Sequence, residues 1–377
     1  MAGIYIHIPF CKQACYYCDF HFSTNQQDKG KMIAALTDEL IFRKDFLQGE
    51  PVSTIYFGGG TPSLLSASEI EVLLTVIQKV YDVGPKTEIT LEANPDDLTV
   101  PGLADLTTLG VNRLSIGIQS FENQLLTFLH RAHDSATAKH SVELAREAGF
   151  GNISIDLIYA IPGLDDSLWI AQLDQAISLG PEHISCYALT IEDRTAFGRW
   201  TASGKLKPVD EETAARQLEI TSETLVSAGY QHYEISNFAR TGFISKHNTA
   251  YWQQQKYLGI GPGAHSYNGS IRMFNVRNNA IYIRQIQSGQ LPAETETLTL
   301  QNKINEYILT TLRTTWGSDL SQLKRDFDVD LLHSNNGYIS QLIAGGLANL
   351  ENNVLTLSSK GRLLADKIAS DLFVVDT

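Results

Sequence analysis

Three of the four cysteines in this chain of 377 residues stand within eight positions, at Cys11, Cys15 and Cys18 in CKQACYYCDF. A C-x-x-x-C-x-x-C loop can wrap several corners of a compact inorganic core. Three thiolates are one fewer than a closed structural zinc or a fully ligated iron–sulfur cluster requires. For zinc, a fourth donor could be sought in Asp19, His21 or the distant Cys186. Cys186, however, lies in the apolar run ISCYAL, and free cysteine commonly serves as a small buried hydrophobe. A [4Fe–4S] cubane held by three cysteines keeps one iron open, and an open coordination position is where metal chemistry occurs. The loop therefore points to a cluster whose fourth ligand is a substrate or cofactor.

The elements that must position this loop alternate. Short β-rich runs begin at Gly3 (GIYIHIP), Ser53 (STIYFGG), Glu88 (EITLEAN), Arg113 (RLSIGIQ), Asn152 (NISIDLIY) and His183 (HISCYAL). Longer stretches of helical period lie between them, such as SEIEVLLTVIQKV, with Ile70, Leu73, Leu74 and Ile77 on one face. Ser66 and Glu69 have the spacing of a capping box at its start. Strand–helix repetition implies a parallel sheet with right-handed crossovers. Six units predict an α/β fold, an open (β/α)6 relative of the eightfold barrel, with a flat doubly wound sheet as the alternative. In such barrels functional groups gather at the C-terminal ends of the strands. Gly58 to Pro62 (GGGTP) end the second strand, Glu92 the third and Gln119 the fourth, while Asp156 lies in the fifth. Glycines allow close backbone approach, and their N–H groups can face a ligand. Each of the other residues alone reads as a solvated strand end; at one rim they form a polar ring able to bind a polar ligand.

After about residue 240 the pattern breaks into the polar and aromatic stretch HNTAYWQQQKYLGIGPGAHSY. Ile286 to Thr297 reads as a linker. The remainder is helical, with a hairpin around Asn352-Asn353 and a last helix from Lys360. This divides the chain into a barrel over 1–240, an insert and linker over 241–296, and a winged-helix-like domain over 297–377. From Thr297 onward there are seven Lys/Arg and nine Asp/Glu, so this last region has no positive excess for DNA. The whole chain carries 29 basic and 42 acidic residues, a net charge of −13, which argues against nucleic acid as a partner. No apolar run is long enough for a transmembrane segment. The start, MAGIYIHIPFC, lacks the pattern of a signal peptide, so the expected location is cytoplasmic, where clustered cysteines serve metals rather than disulfides.

The cysteine loop, placed straight after the first strand and with Tyr17 as the aromatic of its last C-x-φ-C, resembles the signature of the radical S-adenosylmethionine superfamily. The resemblance implies a partial (β/α)6 TIM-like barrel. It also implies a cluster whose fourth iron is chelated by the amino and carboxylate groups of S-adenosylmethionine, with reductive cleavage to a 5′-deoxyadenosyl radical. Over nearly the whole chain the similarity narrows to the branch containing oxygen-independent coproporphyrinogen III oxidase. Carried over residue by residue, it implies that Tyr5, Gly59, Gly60, Thr61, Glu92, Gln119, Arg131 and Asp156 contact S-adenosylmethionine. Without it, Arg131 in HRAH reads as solvated.

Two features depart from the oxidase pattern. Phe20 stands where C-x-x-x-C-x-x-C-x-C has its last cysteine, and only ten residues precede Cys11, without the oxidase's N-terminal extension. Both features resemble the HemW-type haem chaperones. That family implies haem as cargo and acceptor haemoproteins as partners, including membrane-associated respiratory enzymes, with peripheral placement at the membrane. It also implies a role for the H-N-x-x-Y-W segment, His247 to Trp252, with His247 as a haem-binding residue and His265 in GIGPGAHS as a second candidate. Alone, His247 reads as a surface residue. Porphyrin chemistry by decarboxylation or methyl transfer is the enzymatic alternative, and the sequence leaves S-adenosylmethionine cleavage open.

Overall fold

Period-two alternation decides which way each barrel strand faces. In the computed structural model, which describes residues 1–374, the six expected runs form β1 (Ala2–Ile8), β2 (Val52–Gly59), β3 (Val83–Ala93), β4 (Arg113–Gln119), β5 (Ile153–Tyr159) and β6 (His183–Ala188). They pair in parallel in chain order. The connecting helices are α1 (Lys29–Phe42), α2 (Ala67–Val80), α3 (Val100–Thr108), α4 (Asn123–Leu129), α5 (Ser135–Glu147) and α6 (Asp166–Ser178). One strand face supplies Ile4, Ile6, Phe57, Leu91, Ile116 and Ile155, which share a hydrophobic cluster with Leu36, Leu73, Leu103, Val142 and Leu173 of those helices. Each such buried side chain contributes roughly 1.5–3 kcal/mol. The opposite face is polar. Register aligns Tyr5 with Tyr56, Tyr56 with Thr90, Thr90 with Arg113, and Asp156 with Ser185, so those side chains share the interior of the barrel.

The capping box at α2 forms as expected, with Ser66 and Glu69 each bonding the other's backbone N–H. Cys186 is fully buried in β6 and serves the core.

Beyond β6 come α7 (Ala196–Ala202), α8 (Glu211–Ser227), β7 (Gln231–His232), β8 (Asn237–Ala239) and α9 (Lys246–Trp252). The chain then crosses to the other edge of the sheet. There β9 (Tyr257–Ile260) pairs in parallel with β1, followed by antiparallel β10 (His265–Tyr267) and β11 (Ile271–Asn275), then α10 (Asn279–Gln287) and β12 (Ala293–Thr297). The segment expected to be a linker, Ile286 to Thr297, is therefore the end of a helix and an edge strand. Its polar composition misleads because β12 is largely exposed, and an edge strand needs backbone pairing more than apolar side chains.

The last region holds α11 (Leu300–Leu312), β13 (Ser318–Asp319), α12 (Leu320–Phe327), α13 (Leu331–Ser334), α14 (Asn336–Ala344), β14 (Ala348–Glu351), β15 (Val354–Leu357), α15 (Ser359–Arg362) and α16 (Ala365–Asp371). It has its own hydrophobic cluster and a three-stranded sheet in the order β13-β15-β14. Asn352 and Asn353 both take positive φ, 50° and 63°, as a two-residue type I′ hairpin requires. Among the described residues no helix is long and apolar enough to cross a membrane.

One buried ion pair ties α1 to the second edge of the sheet. Glu39, wholly buried, accepts hydrogen bonds from Gly261 N (2.8 Å), Asn275 Nδ2 (2.8 Å), the Tyr282 hydroxyl (2.6 Å) and Arg43 (3.2 Å). Arg43 also donates to Gly259 O and Ser266 Oγ, both at 3.0 Å. Removing one partner leaves the other charge buried and unpaired, which costs about 3–5 kcal/mol. Glu39→Ala should lower the urea unfolding free energy by that amount, whereas Glu39→Leu/Arg43→Met should cost clearly less than Glu39→Ala.

Candidate functional site

The cysteine loop caps the C-terminal ends of the strands and is fastened on several sides. Cys11 N–H bonds Ser23 O (3.1 Å), and Lys12 pairs with Asp96 (2.9 Å) and Asp97. Gln13 Nε2 donates to His130 O (2.6 Å), and the His130 ring stacks flat on Tyr16 at 4.3 Å. Phe197 N–H bonds Tyr16 O (3.0 Å), and Arg277 donates to Asp19 O (3.1 Å). His130 itself sits in the left-handed region at the end of α4, which turns the chain so that Arg131 points inward.

Beneath the loop is a cavity of about 630 Å³, within the range of small-molecule and cofactor sites. Cys11, Cys15 and Cys18 line one end, and Gly59, Gly60, Thr61, Glu92, Gln119, Arg131 and Asp156 line its wall. These expected residues are brought together. Tyr5 is not on the lining; it lies behind Tyr56, with ring centroids 6.1 Å apart and its hydroxyl 3.2 Å from His7 Nδ1. The glycine turn also differs from expectation. Its N–H groups are committed within the protein: Gly59 to Glu92 (3.2 Å), Gly60 to Ile8 O (2.8 Å) and Thr61 to Phe10 O (2.7 Å). A Cβ at Gly60 would lie 2.6 Å from Phe10 O, and Gly59 has φ +105° with His7 against it. The glycines thus let the second strand's end lock against the first.

The donor set fits a cluster. Thr61 Oγ1 donates to Cys11 Sγ at 3.4 Å, which favours its thiolate, and Arg131 donates to Cys15 Sγ at 3.5 Å. Burial pushes the Cys11 thiol up to about 11 and the Cys18 thiol up to about 12, so binding a metal core there must release protons. Among the described residues no three His, Cys, Asp or Glu side chains are gathered around a single-ion site; a cubane, whose cysteines bind separate irons, needs wider spacing.

Deeper in the cavity the walls carry buried charge. Burial raises the Glu92 carboxyl to about 7, against hydrogen bonds from the Tyr56 hydroxyl (2.8 Å) and Gly59 N–H. Asp156 is raised by the same cause, with Ser115 Oγ 3.4 Å from both its oxygens. Arg131 donates to Asn94 Oδ1 (2.6 Å) and Gly117 O (2.8 Å), and its Nε has no partner. Gln119 holds φ +66° at its strand end, a strained conformation of the kind found at functional sites. Sequence reasoning missed Asn94, Ser115, Ser185 and, above all, Arg113. Arg113 is 1% exposed, lines the cavity, and among the described residues has no carboxylate within ion-pair distance. Strand parity was the available signal: residues 113, 115, 117 and 119 share one face.

The HNxxYW segment requires a correction. It is α9, and it closes the barrel from the opposite end, where Glu88 accepts the N–H groups of Lys246 (3.3 Å) and His247 (3.1 Å). His247 is 2% exposed, not a surface residue, and both ring nitrogens are engaged, Nδ1 with Thr54 Oγ1 (2.8 Å) and Nε2 with the Tyr251 hydroxyl (2.9 Å). Burial drives its pKa down to about 3. With both ring nitrogens hydrogen-bonded and the ring buried, it offers iron no free lone pair in this conformation. The neighbouring Asn248 does line the cavity.

Comparisons agree with this geometry. The model of the Radical SAM superfamily matches residues 5–173, and that of the HemN C-terminal domain matches residues 298–364. The chain is 36% identical over 372 residues to heme chaperone HemW of Bacillus subtilis, covering 98% of each chain. It is 35% identical over 372 residues to heme chaperone HemW of Lactococcus lactis, covering 99% of this chain and 97% of that relative. Coproporphyrinogen III oxidase (HemN) from Escherichia coli superposes with a TM-score of 0.85 at 24% identity, over 99% of this chain and 90% of that one. This last match shows the fold alone.

Glu92 supplies a test of the buried charge. Its folded pKa of about 7 exceeds the ordinary 4.5. The fold therefore binds the proton more tightly than the unfolded chain, and this stabilisation is full below about pH 4.5 and lost as pH rises through 7. Relative to Glu92→Gln, the wild type should lose about 1–3 kcal/mol of unfolding free energy between pH 4.5 and 7.5.

Proposed function

The chain belongs to the heme chaperone HemW family, within the radical SAM superfamily, and from that premise we propose that it carries haem to acceptor haemoproteins using a barrel that holds a [4Fe–4S] cluster and S-adenosylmethionine. The observation that carries this reading is the single cavity with three cysteines at one end and a polar wall below them. Cys11, Cys15 and Cys18 hold the cluster, and S-adenosylmethionine occupies the space bounded by Gly59, Gly60, Thr61, Glu92, Gln119, Arg131 and Asp156. When bound and reduced, the cluster supplies an electron to the sulfonium. The chain's own contribution is placement: Thr61 and Arg131 hold Cys11 and Cys15 by hydrogen bonds to their sulfurs, and Glu92 and Asp156 offer acceptors for amino and hydroxyl groups. Tyr5 acts one layer back, through Tyr56 and His7. The division into barrel, crossing segment and C-terminal domain supports separate roles, the first for the cofactors and the others for cargo and partner. The acceptors include membrane-associated respiratory enzymes, reached from the cytoplasmic side.

Two measurements test this. Anaerobic reconstitution should give about four irons per chain, lost in Cys11→Ala, Cys15→Ala and Cys18→Ala but kept in Cys186→Ala; loss of iron in folded Cys186→Ala contradicts the three-ligand site. The enzymatic alternative places coproporphyrinogen III in the same cavity. Phe20, 68% exposed at the loop, occupies the position of the oxidase pattern's last cysteine, which favours the chaperone. Incubation with coproporphyrinogen III, S-adenosylmethionine and reductant should yield no protoporphyrinogen IX, and sustained turnover dependent on Cys11 would restore the oxidase reading.

A further inference from the structure

If the cargo is haem and His247 is sealed in the fold, another side chain must reach the iron. A histidine can do so only if a ring nitrogen is accessible and its lone pair is not already committed. His7, His183, His232 and His247 are buried with both nitrogens engaged. His133 is buried, with Nε2 on Ile118 O, and His130 has Nδ1 on Ala14 O with its ring stacked on Tyr16. His21 and His140 each have one ring nitrogen in a hydrogen bond, to Asn279 and Glu143, and keep the other. Two exposed histidines have both ring nitrogens free of hydrogen bonds among the described residues, His265 and His333. His333 lies on α13, where no aromatic ring among the described residues packs against it. His265 is different.

His265 begins β10 on the face opposite Ser266, whose hydroxyl is turned outward to Arg43, just past the end of α1. It therefore shares the inner side of the sheet with His7. Its ring meets Phe274, its partner on β11, edge to face at 4.7 Å. Arg277 stands beside it at the cavity mouth, bonded only to the carbonyl of Asp19, with no carboxylate in ion-pair range among the described residues. The next residue after Asp19 is Phe20, a large apolar side chain 68% exposed. His265 thus has an unbonded imidazole against Phe274, with the uncommitted Arg277 guanidinium acting on it, and Arg277 in turn shares the cavity lining with Phe20. These are the three features that an iron porphyrin asks of a protein: an axial nitrogen, apolar contact for the macrocycle and a cation for a propionate.

We infer that haem docks on the inner face of β10 and β11 at the mouth of the cavity, with His265 as its iron ligand and Arg277 pairing with a propionate. This rests on the haem-carrying reading above. Burial and the nearby Arg272 and Arg277 hold the His265 ring below its ordinary pKa, which keeps its lone pair available at neutral pH. The placement sets haem beside the cysteine loop, not at the α9 end of the barrel.

The test is titration of haemin into the cluster-loaded protein, followed by difference absorption and by iron–sulfur content. Wild type should give a histidine-ligated Soret band. His265→Ala should weaken binding about tenfold or more and shift the band with cluster iron unchanged, and His265→Met should bind with an altered spectrum. Arg277→Gln should weaken binding without moving the band, and folded His247→Gln should leave the band in place. An unchanged spectrum and affinity in His265→Ala, or transfer of the effect to His21→Ala or His247→Gln, overturns the assignment. Absence of any Soret band in wild type overturns the haem reading itself, a separate result.

Discussion

Charge buried inside a wall of strands is the constraint on which the rest of this protein depends. Glu92, Asp156, Arg113 and Arg131 all face one cavity, and burial lifts both carboxyls above their ordinary range. Arg113 and the Nε of Arg131 lack partners that a finished core would supply. A barrel built only for stability fills its interior with branched apolar side chains. Here most of the apolar side chains of the same strands turn outward to the helices, and much of the interior is left to groups that gain partners only when a polar, charged molecule lies among them.

That arrangement explains how the ends are closed. At the top, the cysteine loop is pinned by contacts from α4, α7, the third strand's end and Arg277, so three sulfurs face the cavity although the loop has no regular structure of its own. At the bottom, α9 uses its first N–H groups to satisfy Glu88, and His247 fills the space between Thr54 and Tyr251. Arg313, at the end of α11, lies over Trp252 of that helix at 5.5 Å, so the C-terminal region backs the plug. The HNxxYW segment is thus a closure of the barrel, with Asn248 alone facing the cavity.

Much of this was legible in the sequence because alternation and strand ends are local signals. The six strands, the capping box at Ser66, the buried Cys186 and the ring of Glu92, Gln119 and Asp156 follow from period, composition and position. What was not legible depends on long-range pairing. The crossing to β9 joins residue 257 to residue 3, and nothing near β12 announces that its polar residues form an edge strand. His247 looked exposed because a polar neighbourhood in sequence says nothing about Thr54, almost two hundred positions away, which receives it. Arg113 gave no local sign of its burial for the same reason: the residues around it come from other strands.

The central claim is that the polar interior holds S-adenosylmethionine against one open iron of a three-cysteine cluster. Electron–nuclear double resonance on the reduced, reconstituted protein with S-adenosylmethionine carrying 15N in its amino group measures this contact directly. The account predicts a 15N hyperfine coupling to the cluster in wild type. Bound S-adenosylmethionine with no such coupling would contradict it.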